Sequence, residues 1–85
     1  MENSIAIIAI VVEDPDSVEK LNGLLHDFRE WIIGRMGLPC PGRKISLISV
    51  AVDAPQNSIS SLAEKVGALK GVSVSTLYSK AGTNA

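Results

Sequence analysis

Shifted by 40 residues, the first half of this chain lies over the second. IAIIAIVVEDP at residues 5–15 meets ISLISVAVDAP at residues 45–55, with identity at Ile5/Ile45, Ile8/Ile48, Val12/Val52 and Pro15/Pro55. After one inserted residue the later apolar positions coincide too: Val18 over Ile59, Leu21 over Leu62, Leu25 over Val66 and Phe28 over Leu69. The chain is therefore two copies of one unit, and its fold follows from what that unit is.

Each copy opens on a near-continuous apolar run, residues 5–12 and 45–52, the mark of a strand buried on both faces. Helix-start chemistry follows each time. In the first copy Asp16 with Glu19 fits a capping box, with Pro15 acceptable at the first turn; in the second, Asn57 or Ser58 is the expected cap. Val18, Leu21, Leu25 and Phe28, and later Ile59, Leu62, Ala63, Val66 and Leu69, recur at helical spacing and define two amphipathic helices. Gly71 is expected to end the second. Each copy then closes on a strand, residues 31–36 and 72–79. The last alternates apolar and polar residues, as an edge strand does. Between residues 36 and 45 lies Gly-Leu-Pro-Cys-Pro-Gly, whose prolines cannot donate to a ladder, so two antiparallel strands are joined by a loop longer than a tight turn.

Strand–helix–strand repeated twice is the ferredoxin-like plan: an α+β domain, βαββαβ, with a four-stranded antiparallel sheet and two helices on one face. That topology makes strands one and three central, and they are the two apolar on both sides. Helices cover one face only. Either Ile5, Ile7 and Val11, or Ala6, Ile8, Ile10 and Val12, must then look away from them, and an apolar sheet face of that width marks an association surface. A homo-oligomer, dimer or tetramer, is the expected state.

At 85 residues there is room for one core, placed over residues 1–80, with residues 81–85 as a flexible small-residue tail. Eight basic and nine acidic residues give a net charge of −1, and no Lys/Arg stripe is present, so direct nucleic-acid binding is not expected. The apolar run after Glu2-Asn3-Ser4 is too short to span a membrane and lacks the flanks of a signal peptide. A single cysteine forbids an internal disulfide, and the expected setting is the cytoplasm.

Few residues here suggest chemistry. No phosphate loop or catalytic triad pattern is present, an enzyme is not expected, and nothing calls for a cofactor. Glu13, Asp14, Asp16 and Asp53 follow strands one and three, where carboxylates favour helix N-termini. His26 is a lone helix histidine and Cys40 a loop thiol between two prolines; neither has companions at metal-ligand spacing, so they are weak metal candidates. Gly34-Arg35-Met36-Gly37 is the more specific oddity. Two glycines in a strand signal a bulge or close approach. Arg35 between them either meets a carboxylate or anionic ligand, or is an edge arginine whose stem covers apolar surface.

The pattern IAIIAIVVED, WIIGRMGLP, ISLISVAVDAP and GVSVSTLYSK resembles the small proteins described as regulators of the iron-only (FeFe) hydrogenase system. Gly34-Arg35-Met36-Gly37, Val52-Asp53-Ala54-Pro55 and Tyr78-Ser79-Lys80 are its most specific parts. The resemblance implies a fold akin to ACT domains and to the C-terminal sensory domain of the nickel-responsive repressor. It also implies a sensory or interaction module that binds a small molecule or a regulatory protein partner. By likeness to ACT domains, an inter-subunit ligand site maps to Glu13, Asp14 and Asp16, with Arg35 and Gly37 from strand two. Arg35 and Gly37 stand where the nickel sensor would carry a His-x-His pair, which leaves Cys40, with His26 from another subunit, as the route to a metal sensor. A ligand-free accessory or assembly protein is the remaining alternative.

Overall fold

A computed structural model describes residues 2–80. Residues 81–85, expected to be a tail, lie outside the described residues. The elements run β1 (Asn3–Val12), α1 (Val18–Asp27), β2 (Ile32–Pro39), β3 (Ser46–Pro55), α2 (Gln56–Gly67) and β4 (Val72–Tyr78), with short 3-10 turns at Pro15–Ser17 and Arg29–Trp31. The sheet is antiparallel in the order β2-β3-β1-β4. This is the expected ferredoxin-like α+β arrangement, and the two strands that are apolar on both faces are the central pair.

The core resolves the choice between the two faces of β1. Ala6, Ile8, Ile10 and Val12 are buried, packed with Ile48, Val50, Val52 and Ala54 of β3. Leu21 and Leu25 of α1 and Ile59, Leu62 and Val66 of α2 close over them. At about 1.5–3 kcal/mol for each large side chain taken from water, this layer is the main stabilising term of the fold. The 40-residue repeat maps buried onto buried: Ile8 and Val12 of one copy correspond to Ile48 and Val52 of the other. Ile5 and Ile7 lie on the other face and stay open.

Several boundaries differ from the sequence expectation, each for a local reason. β2 begins at Ile32 and continues to Pro39 instead of spanning residues 31–36. Trp31 belongs to a 3-10 turn, and β3 offers Ile48, Leu47 and Ser46 as ladder partners to Gly37, Leu38 and Pro39. Pro39 is tolerated as the last residue of an edge strand, where a missing N–H costs no central ladder bond. The Asp16/Glu19 capping box does not form. Asp14 accepts from the Asp16 N–H at 2.9 Å and caps the 3-10 turn instead, with Pro15 as its first residue. α2 starts at Gln56 directly after Pro55, with no side-chain cap from Asn57 or Ser58. It ends at Gly67, and Gly71 sits in the turn beyond it with φ +68°.

Candidate functional site

The acidic residues that follow β1 are committed to joining two loops. Gly71 has a left-handed backbone, and a Cβ there would lie 2.6 Å from the Asp14 Cβ. The Glu13 N–H donates to the Gly71 carbonyl at 2.7 Å, and the Ser17 hydroxyl, in a buried residue, donates to the Lys70 carbonyl at 2.6 Å. Lys70 Nζ approaches Asp14 Oδ2 at 3.7 Å, but its side chain is 90% exposed, so the ion pair adds little. Asp14 is thus occupied as a cap and a packing surface, while Glu13 and Asp16 face solvent.

Arg35 is elsewhere, on the β2 edge of the sheet, with two strands between it and the β4 edge to which those loops attach. A β-bulge fixes its direction. Ile32 pairs with Val52 but Gly34 pairs with Ala51, so Ile33 is an extra residue. Beyond the bulge Arg35 stands opposite Val50, on the helix-covered side; in an uninterrupted ladder it would stand opposite Ser49, on the open side. From there its Nη2 donates to Asn22 Oδ1 of α1 at 3.0 Å. Two residues on, Gly37 faces the same side opposite Ile48. A Cβ on Gly37 would meet the Ile48 Cγ1 at 3.9 Å, an ordinary contact. Within one copy, Arg35 and Gly37 thus lie apart from Glu13, Asp14 and Asp16, and a site using both sets would have to draw them from two copies.

What it does place around Arg35 is a groove of about 330 Å³ between α1 and β2, lined by Asn22, Leu25, His26, Arg29, Ile32 and Arg35. Arg29 Nη1 donates to the His26 carbonyl at 2.9 Å, closing the C-terminal end of α1. Sequence reasoning singled out Arg35 and His26 separately and passed over Asn22 and Arg29. Their i, i+4, i+7 spacing along residues 22, 26 and 29 was the available signal. A larger hollow, about 850 Å³, lies between the start of β1 and α2, bordered by Ser4, Asn57, Ser60 and Ser61 with Glu2 and Glu64. None of the candidate ligand or metal residues named from the sequence lines it.

Cys40 and His26 are at opposite ends of this arrangement. His26 is in the last turn of α1, before β2 begins, whereas Cys40 follows the far end of β2. Among the described residues no three His, Cys, Asp or Glu side chains converge as metal ligands. No helix of the described residues is long and apolar enough to cross a membrane.

The open sheet face is the most extensive feature. Rows of paired residues run across all four strands: Gly34, Ala51, Ile7 and Leu77; Met36, Ser49, Ala9 and Ser75; Leu38, Leu47, Val11 and Ser73. Ile7 is 47% exposed, Met36 60% and Leu77 72%, and Leu38 and Leu47 are also exposed. Ser49, Ala9 and Ser75 are small, so the middle of the face is low on three of its four strands, with Met36 standing proud at the β2 edge. Among the strand residues on this side, Asp53 alone is charged.

Comparison with known proteins agrees with this architecture. A comparison with curated proteins finds no match. Among solved structures, that of the uncharacterized protein TM1266 from Thermotoga maritima matches with a TM-score of 0.88 at 31% identity, over 93% of this chain and 100% of that one. The family model TM1266-like, described as "Iron-only hydrogenase system regulator, putative", matches residues 4–76. With the repeat, the sheet order and the matched span in agreement, the chain belongs to the TM1266-like family.

Proposed function

We propose that this protein is a non-enzymatic regulatory module of the iron-only hydrogenase system that works as a homo-oligomer, two copies closing their open sheet faces on one another, with a small ligand or protein partner as its input. The observation that carries the reading is the uncovered apolar face of the sheet. Ile5, Ile7, Met36, Leu38, Leu47 and Leu77 are exposed in one copy, and a contiguous apolar surface of this extent marks an association site. A second copy is the occupant favoured by the face itself. It carries a single carboxylate and no basic side chain from the strands, so a partner of strong charge finds nothing to pair with.

Size supports the same occupant. Four strands about 4.8 Å apart and roughly 27 Å long cover about 500 Å². Two such faces bury about 1,000 Å² together, the threshold for a specific interface. A two-fold axis lying in the plane between the two sheets lets the same patch serve both copies and closes the assembly. The family's description as a regulator of the iron-only hydrogenase system supports the regulatory part of the reading. Sedimentation velocity on untagged protein at micromolar concentration tests the proposal. A dimer or tetramer is expected, and a stable monomer would defeat it.

A further inference from the structure

The geometry points to an anion site in the groove between α1 and β2, formed by Arg29, Arg35, His26 and Asn22 and suited to a small phosphate-bearing molecule with an apolar body. It deepens the regulatory reading by supplying an input, and rests on that reading only for its role. The site itself stands on four observations. First, two arginines and a histidine line one groove of about 330 Å³, and no Asp or Glu is among the residues lining it. Second, the chain as a whole carries a net charge of −1, yet among the described residues neither Arg29 nor Arg35 is within ion-pair distance of a carboxylate, the one such pair being Lys70 with Asp14. Arginines without a carboxylate partner retain their capacity for an anion.

Third, both guanidinium groups are held in place by neutral acceptors. Arg35 Nη2 donates to Asn22 Oδ1 at 3.0 Å and Arg29 Nη1 to the His26 carbonyl at 2.9 Å. A guanidinium has five N–H donors in a fixed fork, so each arginine keeps most of them for a ligand while part of its rotamer freedom is already spent. The Arg29 bond also occupies a carbonyl at the C-terminal end of α1, where the helix dipole would otherwise repel an anion. Fourth, the groove has an apolar floor: Leu25 is buried and Ile32 half-buried. Arginine forks match phosphate oxygens bidentately, and the floor offers an apolar body somewhere to rest. The bulge at Ile33 is what makes the site, because it moves Arg35 from the open face of the sheet to the side where α1 lies.

The test is an amide NMR titration of untagged protein with phenyl phosphate, with inorganic phosphate and with sodium chloride at matched ionic strength. Phenyl phosphate is expected to shift the amides of residues 22–35 in a saturable way and to bind several-fold more tightly than inorganic phosphate. Chloride is expected to leave them in place. Arg35→Met and Arg29→Met should each weaken phenyl phosphate binding at least tenfold while sedimentation and melting temperature stay as in the parent. Those two controls keep a failure of the anion site separate from a failure of the oligomer. Shifts that chloride reproduces, shifts scattered over the surface, or unchanged affinity in both arginine variants would each overturn the assignment. Equal affinity for the two phosphates would overturn the role of the Leu25 and Ile32 floor.

Discussion

Replacing Ile7 by lysine asks most directly what the open sheet face is for. Ile7 is on β1, in a row between Ala51 on one side and Leu77 on the other, and is 47% exposed in a single copy. Fully burying such a side chain is worth about 1.5–3 kcal/mol, so its exposed half represents roughly 0.7–1.4 kcal/mol per copy and roughly 1.5–3 kcal/mol per symmetric pair. At about 1.4 kcal/mol per tenfold, Ile7→Ala should weaken association roughly ten- to a hundredfold. Ile7→Lys puts one ammonium from each copy into the interface and adds the cost of desolvating both, several kcal/mol more. It should leave a folded monomer. Ile8→Lys is the contrasting variant. Ile8 is 0% exposed, so its ammonium would enter the core between sheet and helices, and the domain should unfold. Sedimentation velocity with circular dichroism separates the outcomes. Ile7→Lys protein that sediments as an unchanged oligomer, or Ile8→Lys protein that folds while Ile7→Lys does not, would refute the assignment of the faces.

Three further substitutions probe the frame around the sheet. Gly71→Ala forces a left-handed backbone on a side chain, costing about 1–2 kcal/mol, and sets a Cβ 2.6 Å from that of Asp14; at about 4–8 °C per kcal/mol for a domain of this size, thermal melts should fall by roughly 10 °C or more. Ser17→Ala removes the buried hydroxyl that donates to the Lys70 carbonyl, a loss of about 1–2 kcal/mol that the same melts should report, with sedimentation unchanged. Cys40→Ser should alter stability by no more than about 0.5 kcal/mol. The turn is held through the backbone, by Cys40 N–H to the Ile45 carbonyl at 3.0 Å and Arg43 N–H to the Cys40 carbonyl at 3.1 Å. Elemental analysis of untagged parent and variant should find the same metal content; loss of a bound transition metal in the variant would make the thiol a ligand.

The architecture was legible in the chain because periodicity is a local property. Apolar runs at residues 5–12 and 45–52, with helical stripes after each, specify two strand–helix–strand units, and burying two doubly apolar strands requires them at the centre of the sheet. That one face must be left bare followed from counting helices. Legibility stopped where partners are distant in sequence. Asp14, which caps the turn after β1 in place of Asp16, also packs against Gly71 from the other copy of the repeat, a contact no local window contains. α2 needs no Asn57 or Ser58 cap once Pro55 ends β3 and the chain turns directly into Gln56.

Arg35 shows the division best. Its glycine-flanked setting announced an irregular strand, and the sequence determined that much, since Gly34 and Gly37 are poor strand residues wherever they fall. Which side of the sheet it serves depended on one extra residue, Ile33, in the pairing of β2 with β3. Side chains alternate with a period of two, so a one-residue slip carries Arg35 to the helix side and Met36 and Leu38 to the open face. The two repeated units, their order and the existence of a bare face are written in the local pattern of apolar residues. Pairing across the chain places Ile7 and not Ile8 on that face, and turns Arg35 toward Asn22 of α1. Strand register is set by pairing across the chain, and no window of local sequence contains it.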